Sequence, residues 1–139
     1  MSDTKCVFRW TEAYKVNVSV LDKQHQELFD TVNKLERALR VGEGNAAVDG
    51  ILDRLMTYAG LHFAAEESLM ERHEFPGLST HRAQHETFRK KMMTLLERHR
   101  GAKQGVAVEL LLFLQTWLKG HVLKTDKQYT AFLNARGVW

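Results

Sequence analysis

The chain has 139 residues, 44% of them apolar, with one proline and nine glycines. That is enough for one domain with its own core, and it excludes a disordered or turn-rich β protein. Twenty basic residues against seventeen acidic give a net charge of +3, too mild for an obligate nucleic-acid binder, and the single Cys6 excludes an internal disulfide and fits a reducing cytoplasm.

The polar, mixed-charge start MSDTKCVFRW does not resemble a signal peptide, and no apolar run is expected to approach the ~18–20 residues of a membrane span. Residues 1–20 carry Val7, Phe8, Trp10, Tyr14, Val16 and Val18 without helical spacing, so they read as an extended arm across the outside. Residues 21–136 read as the bundle and a short C-terminal helical segment, all within one domain spanning 1–139.

Four segments of helical period follow the arm. The first places Leu21, His25, Leu28, Val32, Leu35 and Leu39 on one stripe, with Asp22 expected to cap its start and Gly42 and Gly44 to stop it. The second begins near Asn45, carries Val48, Leu52, Leu55, Ala59, His62, Glu66, Leu69 and His73, and stops before Pro76-Gly77. The third, opened by Ser79, shows His81, His85, Phe88, Met92, Leu95 and His99 and ends at Gly101. The fourth runs from about Gln104 through Ala107, Leu111, Leu114, Leu118, His121 and Thr125. Alternating steps of four and three, joined by short polar or glycine-containing turns, predict an all-α fold: an up-down-up-down antiparallel four-helix bundle.

The stripes should be apolar, yet they contain His25, His62, Glu66, His81, His85 and His121. Each such group, buried and unsatisfied, costs on the order of 1–3 kcal/mol. Six of them would exhaust a net stability of roughly 5–15 kcal/mol, so they need partners. Their heights identify a shared one. His25 lies 17 residues before Gly42, His62 17 after Asn45, His85 16 before Gly101 and His121 17 after Gln104. At 1.5 Å per residue all four stand about 25 Å from one end of the bundle, with Glu66 and His81 one turn further on. A common height in four helices predicts a metal site. His99 is about 21 Å from His85 and cannot join it, and His73 reads as a helix C-terminal histidine favourably placed at the dipole. The basic clusters at 89–91 and 98–100, with Lys103, read as a solvated helix face and not as a nucleic-acid surface.

Imidazole and carboxylate without thiolate suit iron, manganese or zinc, and five histidines exceed the needs of one tetrahedral zinc. The stretches DKQHQELF (22–29), HFAAEE (62–67), HRAQH (81–85) and HVLKTD (121–126) resemble, in order, the ligand motifs of the hemerythrins, and the arm around Trp10 resembles the bacterial branch. The resemblance covers nearly the whole chain. It implies two iron ions cycling between Fe2+ and Fe3+, one held by His81, His85 and His121 and the other by His25 and His62. Glu66 and Asp126 would bridge them beside a solvent-derived oxo or hydroxo group, leaving one position open on the two-histidine iron.

In that family the open position takes dioxygen reversibly, each ferrous iron giving one electron and the bridging hydroxide a proton. The implied function is oxygen carriage, storage or delivery, without an enzymatic role. Alternatives are oxygen or redox sensing through a separate partner, because the chain ends at Trp139 without an output domain, and a di-iron oxidase or peroxidase. The expected partners are dioxygen and an oxygen-consuming protein, with the chain a cytoplasmic monomer. Leu28, Phe63, Trp117, Leu118 and Val122 match the family's oxygen-pocket positions, Leu118 being the side chain expected over the open position. Asp126 alone leaves the stripe, because Thr125 occupies the stripe position, so a helix irregularity is expected within 120–127, eased by Gly120.

Overall fold

The computed structural model describes residues 11–102 and 104–139, with the backbone alone at Ala13, Leu123 and Lys124. Cys6, Val7, Phe8, Trp10 and Lys103 lie outside the described residues. Helices α1 (Ser19–Arg40), α2 (Gly44–Arg72), α3 (Leu78–Arg100) and α4 (Val106–Trp117) form the antiparallel four-helix bundle expected from the stripes. After α4 the chain stays helical in altered geometry. A π-helical segment spans Leu118–Thr125, a 3-10 turn spans Asp126–Tyr129, and a short α5 covers Thr130–Asn134.

The stripes bury as the period dictates, and together they build a large apolar core from α1 to α4 on the side of the α1–α2 and α3–α4 turns. Two stripe assignments move by one residue. Leu110, not Leu111, is fully buried on α4, and Met70, not Leu69, on α2. The helix boundaries show larger corrections. Asp22 does not cap α1. The helix starts at Ser19 with no side-chain cap, and the Asp22 carboxylate instead accepts the Val16 N–H at 2.7 Å. Gly42, at φ 77, makes the turn after α1, whereas Gly44 opens α2. A Cβ at Gly44 would stand 2.5 Å from Leu39 Cδ2, so the glycine permits close approach of the two helices. α3 opens at Leu78 after Gly77, not at Ser79, and α4 at Val106 after Gly105, whose φ of 81 favours glycine.

The described part of the arm is not an extended strap on the outside. Glu12–Tyr14 is a 3-10 turn, and Val16 and Val18 are fully buried. With Leu21, Met70, Tyr129 and Leu133 they form a second apolar cluster. Thr130 Oγ1 donates to the Val16 carbonyl at 2.8 Å, tying the arm to the C-terminal segment. The run Val106–Asn134 has the length and mean composition of a membrane span, but it carries Glu109, Lys119, Asp126 and Lys127 and contains no uninterrupted apolar stretch of that length. In the bundle it spends Leu110, Leu114, Trp117, Leu118 and Val122 on the core. The two apolar clusters leave one polar layer between them.

Candidate metal centre

His25, His62, Glu66, His81, His85, His121 and Asp126 are all buried, none more than 4% exposed, and all seven sequence-predicted residues meet in that layer. His62 and Glu66 reach it as an i, i+4 pair of α2, with Nε2–Oε2 3.3 Å. His81 and His85 are the corresponding pair of α3, with ring centroids 5.4 Å apart. Asp126 arrives through the π-helical segment. The wider turn carries a residue five positions on back to the face of His121, and Asp126 Oδ1 lies 2.8 Å from His121 Nε2. Thr125 Oγ1 donates to the Gly120 carbonyl five residues earlier at 3.3 Å. The irregularity expected within 120–127 is therefore present as the π form. Gly120 has open space around it and no left-handed φ, so it does not force the geometry.

The donor atoms fall into two groups, each within 4.8 Å: Glu66, His81, His85, His121 and Asp126 in one, and His25, His62, Glu66 and Asp126 in the other. Glu66 and Asp126 belong to both. Asp126 touches His81 Nε2 at 2.7 Å and His25 Nε2 at 3.1 Å. Glu66 touches His85 Nε2 at 3.1 Å and His25 Nε2 at 3.5 Å.

Despite these short distances, His25 Nδ1 and Nε2, Glu66 Oε1, His85 Nε2, His121 Nε2 and Asp126 Oδ2 are buried without an aligned hydrogen bond. The outer ring nitrogens explain the pattern. His62 Nδ1–H donates to Gln24 Oε1 (2.5 Å), His85 Nδ1–H to Glu67 Oε2 (2.7 Å) and His121 Nδ1–H to Gln84 Oε1 (2.6 Å). A proton on Nδ1 leaves an Nε2 lone pair aimed inward at carboxylate oxygens. Lone pairs facing carboxylates repel unless positive charge sits between them, so the donor set fits cations shared by both carboxylates.

The ionisation tendencies report the same demand. Burial alone would lower His25, but Asp126 and Glu66 carry it up to about 10. At His85 burial is likewise outweighed, by Glu66 and Glu67, and the imidazole moves up. Burial wins at His62, which moves down despite Glu66. Burial would raise Glu66, yet His62, His25 and His85 hold it well below the usual carboxylate range. Asp126 is also lowered, against burial and Glu66, by His121 and His25.

Aromatic rings pack against the histidines. Phe63 stacks on His85 with centroids 3.8 Å apart and an interplanar angle of 1°. Trp117 stacks on His121 at 4.2 Å, and Tyr58 on His62 at 5.0 Å. Leu28, Phe63, Trp117, Leu118 and Val122, the expected pocket residues, are all buried in the large core. The Tyr129 hydroxyl donates to Glu66 Oε2 at 2.5 Å, and burial followed by Glu66 and Asp126 raises it well above the usual phenol value. Sequence reasoning missed Tyr129, although it lies three residues past Asp126. Gln24, Glu67 and Gln84 were missed because each sits beside one site residue in sequence and serves another in space. Outside the layer, His73 ends α2 as expected. His99 lies 3.5 Å from Asp49. Lys91 and Arg98, from the basic clusters, both pair with Glu109.

Residues 16–133 match the family model described as the hemerythrin HHE cation binding domain. The bacteriohemerythrin of Methylococcus capsulatus is 31% identical over 127 residues, covering 91% of this chain and 96% of the relative. That of Stenotrophomonas maltophilia is 31% identical over 120 residues, covering 86% of this chain and 77% of the relative. A solved wild-type hemerythrin superposes with a TM-score of 0.76 at 29% identity, covering 91% of this chain and 98% of that one.

Proposed function

The chain belongs to the hemerythrin family, and from that premise we propose that it binds dioxygen reversibly at a non-haem di-iron centre, for carriage, storage or delivery. The observation that carries the proposal is the set of inward, unpartnered lone pairs in two groups sharing Glu66 and Asp126. His81, His85 and His121 would hold one iron and His25 and His62 the other, with Glu66 and Asp126 bridging. When bound, two irons would supply an open coordination position and two electrons for dioxygen, together with a solvent-derived oxo or hydroxo group.

The surrounding residues account for binding in preference to turnover. Gln24, Glu67 and Gln84 each hold a proton on the outer nitrogen of one histidine and thereby fix its inward lone pair. Leu28, Phe63, Trp117, Leu118 and Val122 exclude water, and a dry site suppresses proton leakage and hydrolytic side reactions. Tyr129, an acid buried beside the layer, already commits its proton to Glu66. Beyond these contacts and the Tyr58 phenol that stacks on His62, these pocket residues are apolar, which favours releasing the ligand unchanged.

An anaerobic, iron-loaded sample exposed to oxygen should gain a charge-transfer band and lose it under vacuum over repeated cycles, with about two irons per chain. A single irreversible change with release of reduced oxygen would favour an oxidase. Leu118→Ala, which opens a wall residue that is fully buried, should cost about 2–5 kcal/mol of stability and speed autoxidation by admitting water. Equal lifetimes of the oxygenated form in wild type and variant would remove Leu118 from the pocket.

A further inference from the structure

Of the four aromatic side chains that contact histidines of the layer, Phe63, Trp117 and Tyr129 are buried. Tyr58, whose ring also stacks on its histidine, at 14° to His62, differs because it faces solvent-open space between α1 and α2. It walls two cavities there, which share Glu27 as well. One, of about 460 Å3, is lined by Asp30, Lys34, Arg37 and Arg54. The other, of about 300 Å3, is lined by Val20, Lys23, Gln24, Leu61 and His62 itself. Their volumes lie at the small end of the range for small-molecule sites, about 300–1,000 Å3.

The lining changes in chemistry along the cleft, with charged and polar residues present throughout. Lys34, Arg37 and Arg54 stand at the end nearer the α1–α2 turn, and none of the three is paired with a carboxylate among the described residues. Tyr58 follows one turn beyond Arg54 on α2, with Glu27 and Asp30 opposite on α1. Leu61 and Val20 come next, exposed at 69% and 52%. From Arg54 to Leu61 is about 10 Å along the helix axis. A cationic end, an aromatic wall and an end that mixes Val20 and Leu61 with Lys23 and Gln24 match a planar ring system with polar edges carrying a phosphate on a short polar chain.

We infer that the α1–α2 cleft binds reduced flavin mononucleotide, its phosphate at Lys34, Arg37 and Arg54 and its ring beside Tyr58, Leu61 and Val20, and that electrons enter the centre through the Tyr58–His62 stack. The inference rests on the proposed di-iron function, since the diferric form it regenerates from is a state of that centre. The step balances without a bond to the protein. One reduced flavin gives up two electrons and two protons and leaves as oxidised flavin mononucleotide. Two ferric ions would each take one electron; an oxo bridge would take one of the protons to become hydroxide, and the other would pass to solvent. Glu27 and Asp30 stand where they can accept hydrogen bonds from the ring N–H and the ribityl hydroxyls.

The test combines calorimetric binding of oxidised flavin mononucleotide to the iron-loaded protein with anaerobic stopped-flow reduction of the diferric form by the reduced flavin. Saturable binding of one flavin per chain is expected, weakened about tenfold, or 1.4 kcal/mol, in the Arg37→Ala/Arg54→Ala double variant. Riboflavin, which lacks the phosphate, should bind wild type at least as weakly as the nucleotide binds that variant, which keeps Lys34. Tyr58→Leu should slow reduction several-fold at saturating flavin, and Tyr58→Phe, which keeps the ring, should restore the rate. Iron content and far-UV circular dichroism check that each variant is folded and loaded. Absence of saturable binding at millimolar flavin, or equal affinity in wild type and the double variant, overturns the site. Equal reduction rates in wild type and Tyr58→Leu overturn the electron route. Because the calorimetric arm does not depend on dioxygen, flavin binding without reversible oxygenation would sink the functional proposal and leave the cleft assignment standing.

Discussion

Helix α3 and the helical run that follows α4 each deliver two side chains to the same buried layer, with different backbones. α3 supplies His81 and His85 four residues apart in regular α geometry, as the 3.6-residue period allows. The last run supplies His121 and Asp126 five residues apart, which takes the wide turns of Leu118–Thr125. The tighter 3-10 turn Asp126–Tyr129 follows at once. Under-winding and then over-winding restores the phase, so that Tyr129 faces Glu66 and Leu133 rejoins the second apolar cluster. Three helices thus place site residues with side-chain choice alone, and the fourth does so with its backbone, which ties its local geometry to the site it serves.

The layer that both runs serve is proposed to hold cations shared by its carboxylates, and removing them is the strongest way to break the comparison. Chelating both ions should lower unfolding free energy by roughly 8 kcal/mol, for two sites each at a thousandfold ligand excess over Kd. Denaturant titration of the loaded and metal-free forms measures the difference, and a smaller gap than for one site would mean that the layer satisfies itself. The metal-free form should then show two pH limits. His25, raised to about 10, contributes stability that is complete below its unfolded value near 6.5 and lost as pH rises through about 10. Glu66 and Asp126, both lowered, contribute stability present above the unfolded carboxylate values and lost as pH falls through their folded ones. Metal-free protein should therefore be most stable between those limits, with a loss on the alkaline side that the loaded form lacks.

Asp126→Ala tests the irregular helix directly. The carboxylate meets His25, His81 and His121, so its removal strands three buried imidazoles at a cost of about 3–5 kcal/mol. Native mass spectrometry should show the iron count falling from two to one or none. If the π-helical segment exists to deliver Asp126, amide exchange within 118–125 should quicken in this variant while α3 stays protected. Unchanged protection across 118–125 would mean that the segment is shaped by its own packing.

Much of this arrangement was legible because stripe position and height both follow from counting along a helix. That arithmetic put His25, His62, His85 and His121 at one level and rejected His99, which is paired with Asp49 well away from the layer. Asp126 was legible as an exception, its extra residue marking where the backbone departs from α. The arm was misread because Val16 and Val18 lack helical spacing, yet they close the end of the layer through Asp22 and Thr130, contacts no local pattern encodes. Caps were misread because none of the α-helices uses a side-chain cap among the described residues. Gln24 and Gln84 were hidden because pairing across helices depends on rotation about each axis as well as on height.

Tyr129→Phe probes the over-wound turn that follows. It deletes a hydrogen bond to the buried Glu66 carboxylate and should cost about 1.5–3 kcal/mol, with both irons retained because the other contacts of Glu66 remain. Loss of one iron in this variant would make Tyr129 a positioning residue for the centre as well as a brace for the fold.

The smallest expected effect bears on the cause of the irregularity. Gly120 sits inside the π-helical segment, and the easy explanation is that its freedom lets the helix deform. Its surroundings argue otherwise. A Cβ there would meet nothing within 4 Å, and its φ is not left-handed. What holds the wide turns is at their ends: the contacts of Asp126 within the layer and the Thr125 bond back to the Gly120 carbonyl. Gly120→Ala should therefore leave iron content and oxygen binding unchanged and stabilise the fold by about 0.5–1 kcal/mol, the usual gain for alanine over glycine inside a helix. A loss of that size, with weakened binding, would show that the glycine permits the deformation, and the contrast with α3 would then begin at Gly120 and not at Asp126.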